Sequence, residues 1–389
     1  MRIWLMSALV ACSGVPDTDS GTEPSPTTAR VALIADSHLI DAFYTCCEGS
    51  ELDTESLQFS ESRLLDTRAQ LNALEPPPDA LMVAGDIVHE FPSADPAFYE
   101  DNTTSMDRAA EIYAGFDFPA YFALGNHDYE VPALPRELTW DLVRSKWNMD
   151  RTWQAVDVGG TRWLLLDGQF GPTWDPEDTL YDRDFASFGD EQLAWVDAQL
   201  SEGLPTFLVF HHPPNFVRVN ESSGAFPDLF ALVASHGDTV EGIFTGHMHL
   251  WMDTSSMWER PGYGLAATRY DARNWWVMDI DLTTGDWAIP RASEVQYASF
   301  WFDGEQPEEA SLRRVPKPKD LRVLADLEWA RLQAEGWHCR TLRDVPGQGL
   351  AAGCAKTGQR HHVLTVTDLR GDGWVGFAPQ HDHHAPHNP

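Results

Sequence analysis

Positive charge is scarce in this sequence. Its 389 residues carry 27 Lys and Arg against 60 Asp and Glu, a formal net charge of −33. A surface that negative repels nucleic acid and anionic membrane, so neither is expected to bind through charge. It also gives no general attraction for an anionic small molecule. If the ligand is an anion, the site must bring its own positive charge, and bound metal ions are the obvious source. Long apolar runs are also missing beyond the N-terminal segment, so no transmembrane helix is expected there. No internal repeat is visible, and cysteine is sparse, at 5. What the chain does hold is a composition 43% hydrophobic and 22% charged, with 16 Trp. That is globular rather than disordered, and the length suits one large domain plus a small one.

The start of the chain reads as a targeting segment. Arg2 precedes an apolar run over residues 3–11, too short to cross a bilayer, which ends in Leu9-Val10-Ala11-Cys12. This resembles a bacterial lipobox, in which the Cys becomes the lipid-modified first residue of the mature protein. Residues 1–12 are therefore read as a signal peptide, with an ordinary secretory peptide or a buried N-terminal strand as alternatives. Residues 13–29 are rich in Ser, Thr, Asp, Pro and Gly and read as a flexible linker. The expectation is an exported protein, lipid-anchored at the bacterial cell envelope. Export implies an oxidising compartment. Cys339 and Cys354 are close enough in sequence to staple the C-terminal segment, leaving Cys46 and Cys47 as a vicinal bridge or two free thiols.

From Arg30 the chain alternates buried-strand runs with amphipathic stretches. Strands are expected at 31–35, 80–84, 120–124, 163–166, 206–210, 240–244 and 275–280. Helices are expected over 60–74, near 106–113, and from 190 to 200. Strands separated by helices imply an α/β core whose strands are buried on both faces. The main domain is placed at residues 30–304. A Pro- and Lys-containing linker at 316–319 then precedes a helix over 320–335 and a small Cys-containing β segment. Residues 305–389 are read as an α+β appendage with a His-rich tail, which could bind metal loosely, be disordered or be a purification tag.

Five short motifs sit where these strands end: Asp36-Ser37-His38, Gly85-Asp86, Gly125-Asn126-His127-Asp128, His211-His212-Pro213 and Gly246-His247-Met248-His249. Ligands of α/β sheets bind at the carboxyl ends of strands, so all five can converge on one rim. Asp, Asn and His supply oxygen and nitrogen donors suited to Fe, Mn or Zn, not a thiolate site. Each motif alone is weak; Gly-Asp recurs at Gly189-Asp190 and Gly371-Asp372, for example. Their order and strand context together carry the weight.

That order resembles the calcineurin-like metallophosphoesterase superfamily over residues 30–280. The resemblance implies a β-sandwich flanked by helices, in four layers α/β/β/α, and a centre of two divalent or trivalent metal ions. It implies that Asp36, His38 and His249 hold one metal, that Asn126, His211 and His247 hold the other, and that Asp86 bridges them. It also implies hydrolysis of phosphoric mono- or diesters by a hydroxide bridging the metals. His127 would face the leaving group, with Asp128 fixing its orientation. The family pattern His-x-Pro favours His211 over His212 as the ligand. Purple acid phosphatases, one branch, have Gly-Asp-x-x-Tyr and lack the His of Asp-x-His. Here His89 stands at the Tyr position and His38 is present, so the chain resembles the class III cyclic nucleotide phosphodiesterase branch more. His89 either lines the site or lies on the surface. Tyr44 to Asp53, Tyr129 to Pro135 and Trp174 are candidate pocket walls or ordinary loop packing. The partner expected is a small phosphate ester; the rival reading is a metal-bearing surface binding module without turnover.

Overall fold

The structure is a computed structural model. It describes residues 27–45, 51–129, 135–218, 228–249, 251–289, 311–315, 321–339, 343–345, 349–357, 362–369 and 372–379. Cys12 and the leader, most of the linker, Cys46, Cys47, residues 130–134, the 316–319 stretch and the His-rich tail lie outside these residues.

Among the described residues the strands are, in chain order, β1 (Thr28–Ile34), β2 (Ala80–Ala84), β3 (Ala120–Ala123), β4 (Gln154–Val158), β5 (Thr161–Leu165), β6 (Thr206–Val209), β7 (Val240–Thr245), β8 (Met252–Asp253), β9 (Gly262–Gly264), β10 (Trp276–Asp281), β11 (Trp287–Ile289), β12 (Ser311–Val315), β13 (His338–Cys339), β14 (Arg343–Val345), β15 (Gly349–Ala355), β16 (His362–Leu369) and β17 (Asp372–Pro379). The main helices are α1 (Glu51–Gln58), α2 (Ser60–Asn72), α3 (Ser105–Tyr113), α4 (Arg136–Trp147), α5 (Gly189–Ser201), α6 (Leu229–Ser235) and α7 (Leu321–Ala334).

The strands form two sheets. One runs β13-β15-β16-β17-β12-β11-β10-β1-β2-β3, with β14 on β15; the other runs β4-β5-β6-β7-β9-β8. β1, β2 and β3 are mutually parallel, as are β5, β6 and β7.

The apolar runs of the sequence follow from burial on both strand faces. Val31, Leu33, Met82, Ala84, Trp163, Leu165, Phe207, Val209 and Phe244 meet in the core between the sheets. Their neighbours Ala32, Ile34, Leu81 and Val83 turn outward under Leu64 and Leu71 of α2, Met106 and Ile112 of α3, and Leu138 and Leu142 of α4. Leu164, Leu208 and Ile243 turn outward under Leu193, Val196 and Leu200 of α5 and Leu232 of α6. With side chains alternating at period two, both faces of the central strands β2, β5 and β6 are covered, so no polar alternation remains to be seen in them. The result is the expected four-layer α/β/β/α sandwich. Trp163 is fully buried and stacks on Phe207 with ring centroids 4.5 Å apart. Truncating such a ring to Ala costs about 3–5 kcal/mol.

The C-terminal residues have a core of their own, where Leu324, Leu332 and Trp337 pack on Leu364 and Val366. Their strands nevertheless continue the large sheet, because β12 pairs with β11 on one side and β17 on the other. A disulfide joins Cys339 of β13 to Cys354 of β15, which face each other in register.

Candidate metal centre and catalytic site

Five strands end at the motif residues. β1, β2 and β3 of one sheet lead to Asp36, Asp86 and Asn126; β6 and β7 of the other lead to His211 and His247. The rim where the two sheets' carboxyl ends meet is therefore where the donors converge. The backbone there is strained. Asp36, His38, Asp86, His247 and His249 all have positive φ, between 46° and 73°. Non-glycine residues seldom adopt that conformation, and such strain gathers at functional sites. The motif glycines have a spatial reason. A Cβ on Gly85 would lie 2.6 Å from His211 Nδ1, and one on Gly125 would overlap Asp86 Oδ1.

The sequence-predicted ligands form two donor groups; beside them, His38, His89 and His127 make a further cluster of potential ligand atoms. In the first, His38 Nε2 and His249 Nε2 are 3.1 Å apart, and Asp36 Oδ1 is 3.5 Å from His249 Nε2 and 3.9 Å from His38 Nε2. In the second, Asn126 Oδ1 is 3.1 Å from His211 Nε2 and 3.0 Å from His247 Nδ1. Asp86 belongs to both: its Oδ2 is 3.4 Å from His38 Nε2 and 2.9 Å from His211 Nε2. Potential ligand atoms of Asp36, His38, Asp86 and His249, and of Asp86, His211 and His247, lie within 4.8 Å of one another. His212 is buried beside the second group with Nδ1 3.2 Å from the Gln169 side-chain amide; it is His211 that faces Asp86.

Further bonds set the ligands' orientation. His247 N–H donates to Asp36 Oδ1 (3.0 Å), and His127 N–H donates to Asp86 Oδ1 (2.9 Å). His211 Nδ1–H donates to the Ala84 carbonyl (2.9 Å). His127 Nδ1 lies 2.8 Å from the His89 carbonyl, its hydrogen-bond acceptor. Asp128, expected to orient His127, spends its buried carboxylate on backbone amides instead. Ile87 and Val88 N–H donate to Oδ1, each at 3.0 Å, and Gly125 N–H donates to Oδ2 at 2.8 Å. It pins the two loops that carry Asp86 and His127 by satisfying three buried amide donors.

The electrostatics call for more positive charge. Burial pushes the Asp36 carboxyl up to about 8, with His211 opposing. Burial also works to raise Asp86, but the charges of His211 and His127 override it and hold that carboxyl below the ordinary range. His211 in turn is pushed up to about 9: burial disfavours its charge, and Asp86 overrides that. Burial, and after it the Arg269 guanidinium, hold His38 and His249 neutral. Asp36 Oδ2 is buried and accepts no hydrogen bond. Two buried carboxylates, neutral imidazole nitrogens aimed at one another and an orphaned carboxylate oxygen fit hard or borderline cations.

Sequence reasoning missed Arg269. It is 4% exposed, its N–H donates to the Asp36 carbonyl (3.2 Å), and its guanidinium reaches Asp53 Oδ1 (3.2 Å) and Tyr270 Oη (2.7 Å). No motif marks it, because it lies in the irregular stretch between β9 and β10. Of the candidate pocket walls, Trp174 and Tyr129 border a cavity of about 390 Å³ with Arg136, Tyr181 and Arg183. Trp174 itself is buried, with Arg183 stacked 4.5 Å from its ring centroid.

Comparison with known proteins bears on this arrangement. A family model described as calcineurin-like phosphoesterase matches residues 29–250. A bovine (Bos taurus) protein named serine/threonine-protein phosphatase CPPED1 is 28% identical over 204 residues, 49% of this chain and 59% of its own length. The glycerophosphodiester phosphodiesterase GpdQ of Enterobacter lignolyticus is 31% identical over 153 residues, 38% of this chain and 47% of its own. A probable cyclic nucleotide phosphodiesterase of Synechococcus sp. is 27% identical over 177 residues, covering 44% and 58%. The chain thus spans about half to three fifths of the length of these relatives. Among solved structures, a dimetal phosphatase from Danio rerio aligns with a TM-score of 0.44 at 16% identity, over 64% of this chain and 92% of that one.

Proposed function

Because the chain belongs to the calcineurin-like phosphoesterase family, we propose that it hydrolyses small phosphoric esters at a two-cation centre on the rim of its sandwich. The observation that carries this reading is Asp86, whose Oδ2 faces both His38 and His211. A carboxylate shared between two donor groups offsets the repulsion of two close cations. Asp36, His38 and His249 would hold one ion, and Asn126, His211 and His247 the other. Fe, Mn and Zn all suit this nitrogen and oxygen set. When bound, such ions would supply the positive charge an ester phosphate needs and would lower the pKa of a water in the site.

The chain's own groups supply the rest. The net charge of −33 cannot draw in an anion, so substrate capture falls to the centre. Asn126, His127, His247 and His249 are half-buried, which supports an opening on their side. With Nδ1–H given to the His89 carbonyl, the proton that His127 passes to a leaving oxygen sits on Nε2. That held ring favours an enzyme over a silent metal-bearing module, since a binder has no use for a leaving-group acid. The presence of His38, with His89 where purple acid phosphatases carry Tyr, favours the class III cyclic nucleotide phosphodiesterase branch. The names of the relatives from Enterobacter and Synechococcus support small diesters as the class to try first.

Elemental analysis of chelator-free protein should give close to two transition-metal equivalents. A panel of phosphate mono- and diesters should then reveal turnover. Fewer than two equivalents, with no turnover after adding Mn, Zn or Fe, would sink the reading. We also propose that Cys12 is acylated and tethers the protein to the cell envelope. Cys12→Ala should abolish acylation, and an N-terminus downstream of Cys12 on soluble protein would refute it.

A further inference from the structure

The ring nitrogens of the two donor groups have unlike supports. A ligating imidazole needs a partner for its second nitrogen, which fixes the tautomer and aims the ring. His211 finds it in the main chain, donating Nδ1–H to the Ala84 carbonyl at 2.9 Å. His38 has a side chain there: His38 Nδ1 is 3.2 Å from His89 Nδ1. Only one of those nitrogens can carry the hydrogen. With His38 Nε2 turned toward Asp36, Asp86 and His249, its proton sits on Nδ1. His89 Nδ1 must then be the acceptor, and His89 carries its own proton on Nε2.

His89 is well placed for this. It is 5% exposed, so it is not the surface histidine the sequence allowed. Its N–H donates to the Leu39 carbonyl at 2.9 Å, tying the β2 loop to the loop that carries His38. Its own carbonyl accepts from His127 Nδ1 at 2.8 Å, and its ring stacks on His127 with centroids 4.7 Å apart and planes at 20°.

We propose that His89 is a positioning residue that aims His38 into the first donor group through its imidazole and holds His127 through its carbonyl. The inference rests on the two-cation reading above. It makes the two cation sites unequal toward substitution: removing the His89 ring strips support from one site, while the main-chain carbonyl behind His211 stays.

The test is calorimetric titration of Mn²⁺ into chelator-stripped full-length protein. Wild type should bind two equivalents. In His89→Ala, one equivalent should weaken about 10–100-fold, the usual effect of losing an outer-shell partner, while the other is unchanged. His89→Asn should restore most of the affinity, because its amide oxygen can accept the His38 proton. Its recovery also guards against an Ala variant that simply folds badly. Unchanged binding in His89→Ala, equal weakening of both equivalents, or an Asn variant no better than Ala overturns the proposal. A wild type that binds fewer than two equivalents instead overturns the two-cation reading, and this inference with it.

Discussion

The group around Asp36, His38 and His249 and the group around Asn126, His211 and His247 meet at Asp86, yet each is steadied differently. The second group leans on the backbone: His211 on the Ala84 carbonyl, beside a Gly85 that must lack a Cβ for the ring to fit. The first leans on side chains. His38 rests against His89, and the buried Arg269, paired with Asp53 and Tyr270, lies beside it. A main-chain partner persists through every substitution except one that moves the loop. A side-chain partner can be exchanged, so the first group is where affinity can be tuned without rebuilding the fold.

The largest expected effect erases that comparison. Asp86→Ala removes the carboxylate common to both groups, so two metal equivalents should fall toward none, and activity should fall to background with them. Elemental analysis beside a rate assay checks this; an Asp86→Ala protein that keeps either equivalent would mean the groups do not share it. A smaller effect leaves the comparison intact. His127→Ala should keep both equivalents, since the ring contributes no metal bond, but lose about 10²–10⁴-fold in rate on an alkyl ester. The loss should shrink for p-nitrophenolate, a leaving group that needs little protonation. Equal losses for both esters would remove His127 from the acid role.

Much of this was legible because the strands announce themselves. Runs such as Leu81-Met82-Val83-Ala84 are apolar throughout, being covered on both faces, and the motifs follow directly at their ends. β4 was not legible. Gln154-Ala155-Val156-Asp157-Val158 is a sheet edge, half in solvent, and carries no apolar run. β9 reads Gly262-Tyr263-Gly264, and glycine gives no strand signal. The candidate ligands were legible through local order: each motif holds its donors within a few residues of a strand end. Their supports were not. His89 O to His127, and Arg269 to Asp53, are long-range contacts across loops, and sequence spacing does not encode which carbonyl or carboxylate a ring or guanidinium will meet. Asp128 shows the same limit: its adjacency to His127 suggested a pair, and the fold turned it to three backbone amides.

The smallest predicted effect has the opposite sign. Arg269 brings a buried positive charge beside the first group, where it joins burial in holding His38 and His249 neutral. Neutral imidazoles suit a metal, but a nearby guanidinium also opposes the cation itself. Arg269→Gln removes that opposition and leaves the backbone N–H on the Asp36 carbonyl in place, so the loop keeps its anchor. One metal equivalent should then bind more tightly, by a margin kept small because Asp53 already offsets much of the guanidinium charge, and the other should not change. Asp53 loses its ion pair with the guanidinium while keeping the Tyr270 hydroxyl, so thermal stability should drop and α1 should loosen. Arg269→Lys keeps the charge and should keep the wild-type affinity, even where it fails to reproduce the contacts to Asp53 and Tyr270. Titration of Mn²⁺ into the three proteins separates charge from scaffold. Tighter binding in Gln but not Lys means that Arg269 limits the first site electrostatically. Weaker binding in both means that the guanidinium serves as a strut for Asp36 and α1, and that the two groups differ in support alone.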